Sequence, residues 1–269
     1  MQKCTNRFFN NIEILVWNMK RFFSCVLCLA LVFNLASCSD VIENFEEEQI
    51  VAVKYASANE KASENYVNQG YAKVTYNSTS DVVLAVENGK ADYGILDEFE
   101  LNSYLSNQRK IKKTEQCKYG IDYCAYFSAD NISLQSKFNK AIEALKSDGT
   151  LDEIKGVHLN GKSFLNSVED NDENGTLTML CDPSFKNRVY SDDNGYIAGL
   201  DADIARAICN YLGYDLEIAV ADFDELFVKL QEGEGDFIIS ACEVNEERAE
   251  YFLLSDTYFT LNYYLVERE

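Results

Sequence analysis

The stretch Asp236-Phe-Ile-Ile-Ser-Ala-Cys-Glu-Val-Asn-Glu-Glu-Arg248, followed by Phe252-Leu-Leu-Ser-Asp-Thr-Tyr-Phe259, reads as a buried strand, a turn and a short helix that carries one arginine. Phe237 to Ser240 is an apolar run short enough for a strand buried on both faces. Asn245 is a good N-cap, and Glu246 and Glu247 suit the first helical turn. Arg248 then sits near a helix N-terminus, at the carboxyl end of the strand, where open α/β sheets bind ligands. A guanidinium there is a fork for a carboxylate. On this stretch alone a surface arginine paired with Glu246 or Glu250 fits equally well.

Upstream, strands and helices alternate. Ile50 to Val53, Lys73 to Tyr76 and Tyr93 to Leu96 read as strands. Ser57 to Asn68, Ser80 to Glu87 and Glu98 to Leu105 read as helices, the second with Val82, Val83 and Val86 on one face and a stop near Gly89. Tyr119 to Phe127 is a long strand pattern that could cross between two lobes. Asn131 to Lys146 places Leu134, Phe138, Ile142 and Leu145 at helical spacing, and a short helix starts at Asp148-Gly-Thr-Leu-Asp-Glu-Ile154. The polar run from Asn160 to Gly175 reads as a linker. A new strand begins at Thr176. A helix over 199–213 follows, with Ile204, Ile208 and Leu212 on one face, then a strand over 216–220 and a helix over 222–230. The alternation implies an α/β fold with largely parallel sheets.

These pieces resemble the amino-acid family of bacterial extracellular solute-binding proteins (periplasmic binding proteins, type II). Asn245-Glu-Glu-Arg248 is similar to that family's Thr-x-Glu-Arg-like helix start, and Leu254-Ser-Asp-Thr-Tyr258 to its Phe-Ser-x-x-Tyr-like strand. Gly199-Leu-Asp-Ala-Asp203 resembles the entry to its first helix, and Asp148-Gly-Thr-Leu151 its closing turn. The resemblance covers about 49–165 and 174–269 and implies a two-lobe Venus-flytrap fold in circularly permuted order. The second, smaller lobe spans 49–127, closing helices that pack on the first lobe span 128–160, a linker spans 161–175 and the first lobe spans 176–269. Opening new ends at a hinge strand cuts one hinge connection. A fragment of a tandem fusion is the rival account of the order.

The resemblance also implies a site. Arg248 matches the arginine that takes a ligand α-carboxylate, with backbone help from Ser240, Ala241 and Glu243. Asp97 matches the acid for the ammonium, and it also reads as an N-cap for the helix from Glu98. Asp182 and Phe185 match the acid and aromatic after the first strand, with a solvated rim and core packing as their respective alternatives. Phe223 matches a second aromatic wall. Lys54 and Ser57 match the second lobe's first loop. The family's Gly-x-Ser/Thr is here Ala241-Cys-Glu243, and the loop Tyr55-Ala-Ser-Ala-Asn59 lacks glycine. If Asp182 and Glu243 face the cleft, the ligand is cationic, such as lysine, arginine or a polyamine.

The implied function is binding of a small polar solute, an amino acid first, and its delivery to an ABC permease by a monomer, without catalysis, cofactor or metal. Two alternatives remain open: an enzyme on the same scaffold, of the prephenate or arogenate dehydratase type with Glu243 as general acid, and a ligand sensor outside transport. A net charge of −21 over 269 residues argues against nucleic acid and an anionic membrane surface. A hydrophobic share of 47% supports a large core. Met19-Lys-Arg21, the apolar run to Leu35 and Leu35-Ala-Ser-Cys38 read as a lipoprotein signal over 1–38, with Met19 as a candidate true start. Cys38 is the lipidation site, which predicts a lipid-anchored protein of the cell envelope. Five cysteines follow at 117, 124, 181, 209 and 242. With no C-x-x-C among them they read as buried hydrophobes, and Cys117–Cys124 is a candidate bridge.

Overall fold

A computed structural model describes residues 48–162 and 172–269. The signal region with Cys38, and most of the 161–175 linker, lie outside the described residues. No helix among the described residues is long and apolar enough to cross a membrane.

The first sheet starts with β1 (Ile50–Lys54), α1 (Ala58–Val67), β2 (Ala72–Tyr76), α2 (Thr79–Glu87), β3 (Tyr93–Asp97), α3 (Glu98–Ser106) and β4 (Ile111–Tyr123). β1 runs parallel to β2 and β3. Its Val51, Ala52 and Val53 are buried, as a strand covered on both faces requires. α2 buries Val82, Val83, Ala85 and Val86, and the Ser78 hydroxyl caps it by accepting from the Asp81 amide. β4 begins eight residues before the expected start and stops at Tyr123.

The second sheet opens with β5 (Tyr126–Ser128), then α4 (Ile132–Ser147), α5 (Thr150–Leu159), β6 (Thr176–Cys181) and a small ribbon of β7 (Tyr190–Ser191) and β8 (Ile197–Ala198). It continues with α6 (Leu200–Leu212), β9 (Asp215–Val220), α7 (Phe223–Glu232), β10 (Phe237–Ile238), α8 (Glu246–Ala249) and β11 (Phe252–Leu254), in the order β11-β5-β10-β6-β9. β6 is parallel to β9 and β10. α4 buries Leu134, Phe138, Ala141, Ile142 and Leu145, and both α4 and α5 pack on α6.

The last strand, β12 (Phe259–Arg268), returns to the first sheet and completes the order β2-β1-β3-β12-β4. It lies antiparallel to both β3 and β4. Sheet membership therefore differs from the sequence partition at two strands. Tyr126–Ser128 pairs in the second sheet although placed in the 49–127 lobe, and Phe259–Arg268 pairs in the first sheet although placed in the 176–269 lobe. The expectation of a cut hinge is also corrected. The chain crosses between the sheets twice, from β4 to β5 and from β11 to β12. The crossings are laced together: Tyr258 N–H donates to the Tyr123 carbonyl at 3.0 Å and Ser255 N–H to the Ala125 carbonyl at 2.9 Å, while Cys124 N–H ties the first crossing to the loop after β10 through the Cys242 carbonyl at 3.1 Å.

The five later cysteines are all buried free thiols. The candidate Cys117–Cys124 bridge is absent because the two point into different cores. Cys117 packs in the main cluster, where it accepts from the Tyr66 hydroxyl, and Cys124 packs with Leu180, Leu226 and Ile238. Burial pushes the thiols of Cys117 and Cys124 up to about 11 and about 12.

Candidate functional site

The carboxyl ends of β6 and β10 hold one half of the candidate site. Asp182 follows β6 directly. Its amide donates to the buried Ser240 hydroxyl at 2.8 Å, and its carboxylate accepts from the Ser184 amide at 2.9 Å and the Phe223 amide at 3.2 Å. Through Phe223 the carboxylate meets an orphan N–H group at the start of α7. The rings of Phe185 and Phe223 pack edge to face at 5.5 Å. Arg248 lies over this shelf, its guanidinium 5.4 Å from the Phe223 centroid and 4.5 Å from that of Phe227. Asn245 caps α8 as expected, taking the Arg248 amide at 2.9 Å. No salt bridge of Arg248 with Glu246 or Glu250 is present among the described residues. Phe227 went unnoticed in the sequence, although it stands four residues after Phe223 on the same helix.

The loop after β10 is held from below. Ala241 adopts a left-handed conformation (φ 49°), and its amide donates to Asp201 at 2.6 Å. Asp201 is fully buried at the start of α6. It also pairs with Arg188 at 2.7 Å and accepts from the Tyr258 hydroxyl at 3.2 Å. The Arg188 guanidinium stacks 3.8 Å from the Tyr123 centroid and 4.6 Å from that of Phe259, against both crossings. Gly199 permits this approach. A Cβ there would meet the Arg188 carbonyl at 2.4 Å, and its φ of +117° suits glycine. The Ala241 amide and the Ser240 hydroxyl are thus engaged within the fold, by Asp201 and by the Asp182 amide. Glu243 is exposed, and its carbonyl accepts from the Tyr126 hydroxyl at 2.6 Å.

The carboxyl ends of β1 and β3 hold the other half. Asp97 closes β3 and caps α3 in a reciprocal box with Glu100, its carboxylate accepting from the Glu100 amide at 2.8 Å. Burial, then the neighbouring Glu100, pushes its carboxyl up to about 7. It forms no salt bridge among the described residues. Lys54 ends β1, and its carbonyl accepts from the Ser57 hydroxyl at 2.8 Å across a turn in which Ala56 is left-handed (φ 51°). A cleft of about 460 Å³ opens between the lobes, bringing Asp97, Thr79 and Tyr104 together with Tyr123 and Arg188. Lys54, Ser57, Asp182, Phe185, Phe223 and Arg248 do not line it. Among the described residues no group of three His, Cys, Asp or Glu side chains could hold a metal ion.

The described chain is thus two α/β lobes joined by two crossings, with a cleft between them. Residues 177–269 match the model of the bacterial extracellular solute-binding proteins, family 3. The arginine-binding extracellular protein ArtP of Bacillus subtilis is 28% identical over 93 residues, 35% of this chain and 36% of that protein. The arginine-binding periplasmic protein of Mannheimia haemolytica is 31% identical over 81 residues, 30% of this chain and 34% of that protein. The membrane-bound lytic murein transglycosylase F of Desulfosudis oleivorans is 35% identical over 68 residues, 25% of this chain and 15% of that protein. The chain thus spans about a third or less of the length of these curated relatives. Among solved structures, an ancestral arginine-binding protein bound to arginine is 35% identical, covering 29% of this chain and 34% of that one, with a TM-score of 0.28.

Proposed function

We propose that the chain binds a small amino acid with a cationic side chain, of the arginine type, between its lobes. The observation that carries this reading is a pair of complementary half-sites at the carboxyl ends of the two sheets. One offers Arg248 on an aromatic shelf for a carboxylate. The other offers Asp97, a carboxyl in a water-poor setting that a ligand ammonium would neutralise. The rings of Phe185 and Phe223 suit the stem or guanidinium of such a side chain. The arginine-binding relatives support the same class.

On this reading the protein works outside the cytoplasm, anchored through Cys38, and delivers its ligand to an ABC permease. Ligand selects the closed arrangement of the lobes, and the permease reads that arrangement. On this reading the chain order is that of a circular permutant, with two crossings between the sheets. Binding is favoured over dehydratase chemistry because the Glu243 side chain is exposed and lacks the desolvation that a general acid needs at neutral pH.

Calorimetry with L-arginine, L-lysine, L-glutamine and putrescine tests the proposal. Binding of one amino acid, lost in Arg248→Ala and in Asp97→Ala, is the expected result. No heat with any of the four overturns it.

A further inference from the structure

The first turn of α3 carries two adjacent acids with different tasks. Asp97 lines the cleft, whereas Glu98 is 5% exposed and turns to the opposite side of the turn. There its carboxylate meets the Lys155 ammonium at 2.9 Å. The same oxygen accepts the Asn262 amide of β12 at 3.2 Å. Lys155 stands on α5, which packs on α6 in the second lobe. Its ammonium also reaches the Thr260 carbonyl at 3.4 Å and lies 5.1 Å over the Phe259 ring. A cation of one lobe is thus seated on the first residues of β12 as the chain enters the other lobe.

From this placement we infer that Glu98 and Lys155 form the pivot on which the lobes turn, and that they are positioning residues for Asp97. The inference rests on the binding role proposed above. A contact beside the crossings moves least when the lobes rotate about them, so this pair holds in the open and the closed arrangement alike. Glu98 is tied to β12 and to the opposite lobe, and it shares one helical turn with Asp97. The angle between the lobes and the aim of the cleft carboxylate are therefore set together. Glu98 is the buried partner, so removing Lys155 would leave its charge uncompensated.

The test compares the full chain with Glu98→Gln, Lys155→Met and Lys155→Arg, the last of which keeps a cation opposite Glu98. Glu98→Gln retains an acceptor for the Asn262 amide and removes only the charge, so it carries the test if Lys155→Met fails to fold. Small-angle scattering without ligand reads the lobe arrangement, and calorimetry with L-arginine reads the site. Glu98→Gln and Lys155→Met are expected to enlarge and broaden the distribution of dimensions and to weaken arginine binding about tenfold, with both readouts close to wild type in Lys155→Arg. Wild-type scattering from Glu98→Gln, or Lys155→Arg as altered as Lys155→Met, overturns the pivot. If the wild-type chain binds no arginine, the solute proposal fails, and scattering alone still decides the pivot.

Discussion

The carboxylate of Asp201 lies beneath Ala241, takes its amide at 2.6 Å and holds Arg188 at 2.7 Å with the other oxygen. One buried acid thereby ties the loop after β10 to the residue stacked on both crossings. The loop leading to Arg248 and the hinge are anchored on the same carboxylate. Asp201→Asn should lower the unfolding free energy by about 3–5 kcal/mol, the usual result of leaving one buried charge unpaired. Urea unfolding measures this, and a change below about 1 kcal/mol would show that the pair is not anchoring the loop.

Arg248→Ala should behave in the opposite manner. Its guanidinium has no carboxylate partner among the described residues, so stability should change by less than about 1 kcal/mol. Arginine affinity should fall by about 2–3 kcal/mol, or some hundredfold, because a charge-assisted carboxylate contact is lost. Unfolding and calorimetry on one preparation separate the two effects.

Phe227→Leu should weaken arginine binding by between about twofold and thirtyfold, the range spanned by cation–π contacts. The ring is 4.5 Å from the Arg248 guanidinium and holds it in place. Equal affinities in the variant and the wild type would show that Arg248 is oriented without it.

A carboxyl at about 7 makes the site and the fold depend on pH in opposite directions. The ordinary aspartate value applies in the unfolded chain, so between about pH 4 and 7 the folded protein holds a proton that the unfolded one releases. Stability contributed by that proton is present at low pH and is lost as pH rises through 7. Attraction for a ligand ammonium grows over the same interval as the carboxylate forms. Affinity measured from pH 5.5 to 8.5 should therefore rise through about 7 in the wild type and stay flat in Asp97→Asn. A rise that persists in Asp97→Asn assigns the titration elsewhere.

Gly199→Ala should cost more than about 1 kcal/mol, because φ is +117° and the new Cβ would press on the Arg188 carbonyl. Thermal unfolding measures the loss, and a variant as stable as the wild type would mean that the Arg188 loop yields freely.

Local chemistry was legible without coordinates. The spacing of Leu134, Phe138, Ile142 and Leu145 marks a buried helix face, and all four are buried. Asn245 marks a cap, and Asp97 marks one too, each bonded to the amide three residues on. Such features depend on neighbours within about one helical turn or on a single strand, so the order of residue types determines them.

Only the tertiary structure decided where distant segments join. Phe259–Arg268 could have stayed with the lobe before it, but it lies between β3 and β4, where both its edges find backbone partners. Arg188 and Asp201 are thirteen residues apart, and nothing in their spacing marks a pair. Their association follows from burial against Tyr123, Phe259 and Tyr258, which lie far along the chain. Glu98 and Lys155 meet for the same reason. A charge removed from water takes whichever opposite charge the packed elements bring to it, and that packing is a property of the whole fold.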